Sequence, residues 1–334
     1  MAYRVGLMTL RLYAHRFSPK KFTQPQLFAA LVLKEFLQFD YRKLSQFFLD
    51  APEFRAAIGL HEVPHFTTFQ KASQRLLTSR RVRRLLGRTI RIAVKRRRVR
   101  RRVALAAVDG TGLESHHAST YYVRRRAAGG KTWQKTTYVR FPKAGILCDC
   151  RSHMILAVVP GRGPKPDIQH FRAALDQALE IAPIDALAAD AGYDGEGTHV
   201  YARQQRGVRT LIPPLAGRPT KKLPKGYWRR KMAACLKHSR YGQRWQVETV
   251  MSMLKRLLGA ALRARHYWSQ CREILLRSLT LNIMILWWIR VFYRAAASPF
   301  RRTSRHYFQS SVRKGEAGRP ALLTRLQGGL FAHA

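Results

Sequence analysis

Only 18 of the 334 residues are Asp or Glu, against 63 Lys and Arg, so the carboxylates that could do chemistry are few. Three of them sit in unusual contexts. Asp109 closes the apolar run VALAAV, and Asp190 closes the run containing ALAA. Groups at strand ends face the crevice where α/β sheets bind ligands. Two strands that each deliver a carboxylate there suit Mg²⁺, which takes hard oxygen ligands and few of them from protein. The competing reading of either Asp alone is a turn or helix cap. Glu248 is the sole acid between Glu196 and Glu273, a stretch that carries 18 Lys and Arg. In a region that faces a polyanion a stray carboxylate is repelled, so a retained one has a task.

Helical geometry sharpens the case for Glu248. At about 100° per residue, Tyr241, Arg244, Glu248 and Lys255 fall within about 60° of one another. Val247, Val250, Leu254, Leu257 and Leu258 fall on another face, which must pack inward. The bland alternative is an amphipathic helix with an Arg244–Glu248 pair worth a few tenths of a kcal/mol. Trp245 lies near the same face, where it can stack on an unpaired base or pack half-buried. Twelve other acids, Glu35, Asp167, Glu196 and Glu273 among them, read as caps or helix-surface charges. Asp194 reads either as the cap of the helix after ADAGYD or as a supporting group for Asp190. His116 and His117 read as surface histidines.

The net charge of +45 calls for a polyanionic partner. Nucleic acid is the first expectation, and an anionic membrane the competitor. Residues 80–102 hold 13 Lys and Arg among 23, with Val82, Leu85, Leu86, Ile90 and Val94 at helical spacing. One stripe packs while the other faces stay cationic, and Arg96, Arg97 and Arg98 are expected DNA contacts. At 46% hydrophobic residues the chain is no disordered tail. Its four cysteines form no CxxC pair and read as reduced thiols. The opening MAYRVGLMTLRLYAHRF lacks a secretory apolar run, and Arg277, Asn282 and Arg290 interrupt the run 275–292, so a cytoplasmic protein with a buried core helix there is expected.

These residues need a scaffold. Residues 25–100 read as helical: PQLFAALVLKEFLQF as a core helix, then YRKLSQFFLD, then HFTTFQKASQRLL with Thr67 or Thr68 as N-cap. From 103 the pattern turns to strands mixed with helices. AGILCDC and HMILAVVPG form a hairpin around Arg151-Ser152, PDIQHFRAALDQALE a helix with Asp167 as possible cap, and IDALAAD and GVRTLIPP further strands. Residues 215–240 read as a basic connector, and YGQRWQVETVMSMLKRLL as a strong helix. The order implies an α/β fold with a mixed sheet. The expected domains are a helical DNA-binding domain over 1–100, a catalytic domain over 101–295 and a flexible basic tail over 296–334.

At this point the sequence resembles the DDE transposases of insertion sequences. Tyr241-x2-Arg244-x3-Glu248-x6-Lys255 matches the Tyr-Arg-Glu-Lys signature of one large group of them without departure in spacing. VDGT around Asp109 is similar to their first-acid motif, and ADAGYD around Asp190 to their second. The resemblance implies an RNase H-like catalytic domain in which Asp109, Asp190 and Glu248 hold two Mg²⁺ ions, with Mn²⁺ able to substitute. It implies cleavage at transposon ends and strand transfer into target DNA, by a homodimer in the DNA complex, in the nucleoid of a prokaryotic cytoplasm. Tyr241, Arg244 and Lys255 would hold terminal phosphates. Ser252 stands where some relatives carry a second Lys, and the 213–240 connector is too short for the large β insertion found in others. The rival readings are an inactive DNA-binding derivative and a nuclease that cuts without strand transfer.

Overall fold

A computed structural model of the chain describes residues 1–97, 99–115, 120–126, 133–214 and 223–297. It divides into two units, Met1–Trp287 and Trp288–Ala334. The fold below is that of the first; in the second, only the continuation of the last helix is described.

The chain opens with six helices: α1 (Ala2–Leu7), α2 (Gln24–Phe36), α3 (Tyr41–Asp50), α4 (Pro52–Ala56), α5 (Phe66–Leu76) and α6 (Ser79–Lys95). Helix α2 starts on a reciprocal cap: the Gln26 side chain accepts from the Thr23 N–H at 2.8 Å, and the Thr23 hydroxyl accepts from the Gln26 N–H at 3.3 Å. Its all-round apolar character places it centrally, with Phe28, Ala30 and Leu31 fully buried. Helix α5 begins at Phe66, with His65 in the cap position, so Thr67 and Thr68 lie inside it and cap nothing. Thr78 caps α6 through the Arg81 N–H. In α6 the residues Val82, Leu85, Leu86, Ile90 and Ala93 are buried, while Arg80, Arg84, Arg91 and Lys95 stay exposed.

A mixed sheet follows. Its strands are β1 (Ala106–Gly112), β5 (Pro142–Asp149), β6 (Ile155–Arg162), β7 (Ala186–Ala188) and β8 (Arg209–Leu211), in the order β6-β5-β1-β7-β8. Strand β5 runs antiparallel to β1 and β6, whereas β1, β7 and β8 run parallel to one another. In chain order within this sheet that is 3-2-1-4-5 with the second strand reversed, the RNase H-like arrangement the resemblance implied. Two further pairs lie outside it: β2 (Glu114–Ser115) with β9 (Ala261–Leu262), and the hairpin β3 (Thr120–Arg126) with β4 (Trp133–Val139).

Helices α7 (Ile168–Leu179), α8 (Glu196–Val200), α9 (Tyr227–Cys235), α10 (Trp245–Leu258) and α11 (Tyr267–Ala297) complete the described chain. Helix α9 departs from the expected connector. Its nine residues YWRRKMAAC bury only Met232, so no apolar stripe announces it, and tertiary anchors hold it instead. Helix α11 is a core helix, as its interrupted apolar run implied: Leu279, Leu281, Asn282 and Leu286 are fully buried. Among the described residues, no helix is long and apolar enough to cross a membrane.

Arg277 is the strut of this half. Only 2% exposed, its guanidinium donates to Glu35 on α2 at 2.9 Å, to Glu273 one turn back at 2.7 Å, and to the carbonyls of Gly259 and Ala261. Glu35 and Glu273 are therefore ion-pair partners, Glu35 being buried, and not free surface charges. The clamp fixes the C-terminal end of α10 against α2 and α11.

Candidate active site

The register of the central strands brings the first two acids together. Ala107 on β1 pairs in parallel with Ala188 on β7. Two residues further along each strand come Asp109 and Asp190, so the same register carried onward sets them level. Equal parity puts both on one side, and neighbouring strands lie about 4.8 Å apart. Asp109 is half-buried on β1 and accepts from the Gly110 N–H at 2.7 Å. Asp190 follows the end of β7 by two residues and caps the 3₁₀ turn Ala191–Tyr193, its side chain accepting from the Gly192 N–H at 2.9 Å.

Glu248 reaches the site through an arginine. The segment Arg240–Arg244 is a 3₁₀ helix, and the α-helix proper starts at Trp245. The single α-helical projection from Tyr241 is therefore corrected: its first turn is tighter, at about three residues per turn. Ser239 starts that turn by accepting from the Tyr241 N–H at 3.3 Å. The Arg244 guanidinium then bridges two acids, bonding Asp109 Oδ2 at 3.3 Å and Glu248 Oε1 one turn along. It is thus more than the i,i+4 partner of an exposed helix. Glu248 itself stays 53% exposed.

A fourth acid was hidden from sequence reading. Asp167 occupies the cap position of α7 but bonds none of its N–H groups. Its carboxylate turns to Lys143 on β5, 2.7 Å away, and packs on β1. A Cβ at Gly110 would fall on that carboxylate, so any larger residue beside Asp109 makes the Asp167 side chain move. Gly145 and Gly161 serve the same approach, because His170, one turn into α7, lies directly against both. The signal in the sequence was the glycine after Asp109, which marks a close contact without naming the partner.

The electrostatics record the crowding. Burial, with the Asp190 and Asp167 carboxylates adding to it, pushes the Asp109 carboxyl up to about 6, against the lowering effects of the Gly110 N–H and Arg244. Burial, together with Asp167, Asp109 and Asp190, drives the Tyr193 phenol far above its usual range. That hydroxyl is buried and has no hydrogen-bond partner among the described residues. Hard oxygen donors on adjacent strands, a repelled carboxyl and an unsatisfied phenol fit a hydrated divalent cation at Asp109 and Asp190. Glu248 is held on Arg244 instead, and among the described residues no three Asp, Glu, His or Cys side chains form a cluster of metal-binding size.

Other expected residues fall as follows. Tyr241 is half-buried in the 3₁₀ turn, and burial, with Asp190 and Asp109, raises its phenol. Lys255 lies two turns beyond Glu248 on α10, half-exposed. Trp245 is exposed. Arg96 and Arg97 follow the last turn of α6, while Arg98, His116 and His117 lie outside the described residues. Asp194 is neither cap nor part of the acid group. Its fully buried carboxylate takes two Arg229 contacts, at 2.8 and 2.6 Å, while Glu196 accepts the N–H groups of Trp228 and Arg229. Together they dock α9 onto the second-acid loop.

The comparisons with known proteins decide the family. Residues 104–283 match the model of the transposase DDE domain. The chain belongs to the DDE transposase family. The match spans β1 to α11, and so contains Asp109, Asp190, the 3₁₀ turn and Glu248. Members of this family generally use divalent metal ions. No curated protein matches the chain. Among solved structures, a chain of a pre-cleavage Mos1 transpososome is similar over 82% of this chain and 81% of that one, at 13% identity and a TM-score of 0.22, too loose a superposition for the sites to be compared.

Proposed function

We propose that this transposase cleaves DNA at transposon ends and joins the freed ends to target DNA, with Asp109, Asp190 and Glu248 as its catalytic acids. The observation that supports this most is the parallel pairing of Ala107 with Ala188, two residues before Asp109 and Asp190, with Arg244 linking Asp109 to Glu248. Mg²⁺, or Mn²⁺ in its place, would be held by Asp109 and Asp190, with Glu248 completing the set once Arg244 moves to phosphate. Two such ions activate the attacking oxygen and stabilise the leaving one in an in-line displacement.

The chain's own residues bind and orient. Arg244 exchanges its carboxylates for a phosphate, which it grips with two parallel N–H groups. Tyr241 on the turn before it, and Lys255 two turns beyond Glu248, hold neighbouring phosphates. Asp167 keeps Lys143 neutralised beside the acids, so that no fixed cation competes there. A water oxygen forms the new P–O bond, and the 3′ oxygen leaves with the bonding pair and takes a proton. The freed 3′-OH then attacks a target phosphorus and displaces a target 3′ oxygen. Helices over 1–100 contribute DNA binding, where Arg11, Arg80, Arg81 and Arg84 line one cleft, followed by the catalytic domain over 101–295 and a basic tail over 296–334. In the DNA complex the protein acts as a homodimer.

The test is incubation of the protein and Mg²⁺ with DNA carrying the element's ends and a supercoiled target. Nicked ends and joined products are expected. Nicking alone would leave a nuclease, and no nicking an inactive DNA-binding derivative.

A further inference from the structure

A second group of cations gathers at the other end of β1, away from the acids. Arg100, Arg102, Arg151 and Arg240 line a single cleft whose wall includes Ser239 and Gly242. The one acid in that lining, Asp149, is buried and already occupied. Its carboxylate accepts from the N–H groups of Arg151 and Ser152 and, at 2.5 Å, from the Ser152 hydroxyl. Arg102 is committed to Asp185 at 2.5 Å, and Arg240 reaches the Ala104 carbonyl at 3.4 Å. Arg100 and Arg151 are exposed, and among the described residues their guanidinium groups have no partner. Cys150 adds no metal-binding or nucleophilic chemistry, because burial, with Asp149 beside it, pushes its thiol up to about 12. What the cleft offers is converging N–H donors and positive charge, which is the chemistry of phosphate recognition.

Its place relative to the acids identifies the phosphate. The segment that carries Tyr241 and Arg244 runs alongside β1, with Arg240 at Ala104 and Arg244 at Asp109. Five residue steps along β1 and its lead-in separate Ala104 from Asp109, on the order of 15 Å at ~3.3 Å per step. A DNA strand carries one phosphate per ~3.4 Å of axis, so the cleft lies a few nucleotides from a phosphate bound at Asp109. We propose that this cleft seats a backbone phosphate of the DNA duplex engaged at the acid site. The proposal rests on the reading that the acids act on DNA. It assigns Arg100 and Arg151 a holding role that neither the motifs nor the acids disclose.

The experiment measures binding alone, in the presence of a chelator. The affinity of a short fluorescein-labelled duplex of mixed sequence is read by anisotropy across a salt series. The wild type is compared with R100A/R151A, R100K/R151K and R172A/R206A. The last pair removes the same charge from arginines that lie over the Tyr201 ring, Arg206 being tied to Asp176 as well. Each phosphate contact contributes about −0.9 to the slope of log K against log salt, so R100A/R151A should flatten the slope by about one to two. The lysine pair should keep most of the slope and the control pair all of it. Equal slopes for R100A/R151A and wild type, or an equal loss in the control, would overturn the cleft assignment while leaving the acid site standing. A wild type that fails to bind the duplex at low salt would remove the DNA reading together with the cleft.

Discussion

Two arginines in this molecule each bridge two carboxylates, and their surroundings give them opposite roles. Arg277 is 2% exposed, as is Glu35, and its remaining donors are spent on carbonyls of the chain turn after α10. Nothing from solution can replace those partners, so the group is a fixed strut. Arg244 is 21% exposed, its contact with Asp109 is a long 3.3 Å, and its other partner Glu248 is mostly in water. A phosphate can take the place of these partners, because one contact is long and the other partner is already solvated. The same ion chemistry serves architecture at one end of α10 and ligand exchange at the other.

The largest effect expected from this contrast is on stability at the strut. Arg277→Ala leaves buried Glu35 with Lys34, 3.1 Å away, as its remaining cation and strips Glu273 and two carbonyls of their donor, which costs about 3 kcal/mol. Thermal unfolding should fall by on the order of 10 °C. A change within a degree or two would show that the clamp is not structural. Arg244→Ala, by contrast, should unfold close to wild type.

Next in size is catalysis at the exchangeable arginine. Arg244→Lys keeps the charge but loses the two parallel donors, and misplaced reacting atoms cost rate steeply, about 100-fold. Single-turnover cleavage at saturating protein and matched salt reads this directly. Equal rates for mutant and wild type would reduce Arg244 to a partner of Glu248.

Gly110→Ala probes the packing of Asp167 against β1. The added methyl pushes the carboxylate aside and off Lys143, which costs about 1 kcal/mol, the low end of overpacking. Gly197→Ala, where a Cβ meets nothing within 4 Å, is the control and should be nearly silent. Urea midpoints for the two variants check the difference.

The smallest effect concerns the carboxyl that the site holds out of its usual range. With its folded pKa raised to about 6, Asp109 favours the folded state when protonated, and that contribution is lost as pH rises from about 4 through about 6. In chelator, Asp109→Asn should therefore raise the melting temperature above pH 7 by on the order of a few degrees, and the gain should vanish near pH 4. A variant less stable than wild type at both pH values would mean that Asp109 is not under electrostatic strain.

Much of the site was legible in the sequence because the apolar runs ending in Asp109 and Asp190 already specify strands. Parallel pairing of two such runs brings their ends together. The Tyr241–Lys255 spacing was legible as a helical face, although the 3₁₀ turn was not, since its residues carry no signal against an α-helix. Asp167 stayed hidden because Pro166-Asp167 before a helical pattern reads as an ordinary cap, and only the docking of α7 shows the side chain turned elsewhere. Helix α9 was missed for a related reason: it has no buried apolar stripe and is held by Asp194 and Glu196, distant in the chain. Glu35 and Glu273 read as surface charges because their partner, Arg277, lies on a helix whose burial local pattern alone does not reveal.

The central claim is that three acids do the chemistry while cations around them hold the DNA. Asp109→Asn, Asp190→Asn and Glu248→Gln should each abolish Mg²⁺-dependent cleavage of end-bearing DNA and leave duplex affinity equal to wild type or slightly higher, since each removes one negative charge. Full cleavage by any one of the three variants would remove that residue from the site, and loss of cleavage only in step with loss of binding would contradict the division between acids that react and cations that hold.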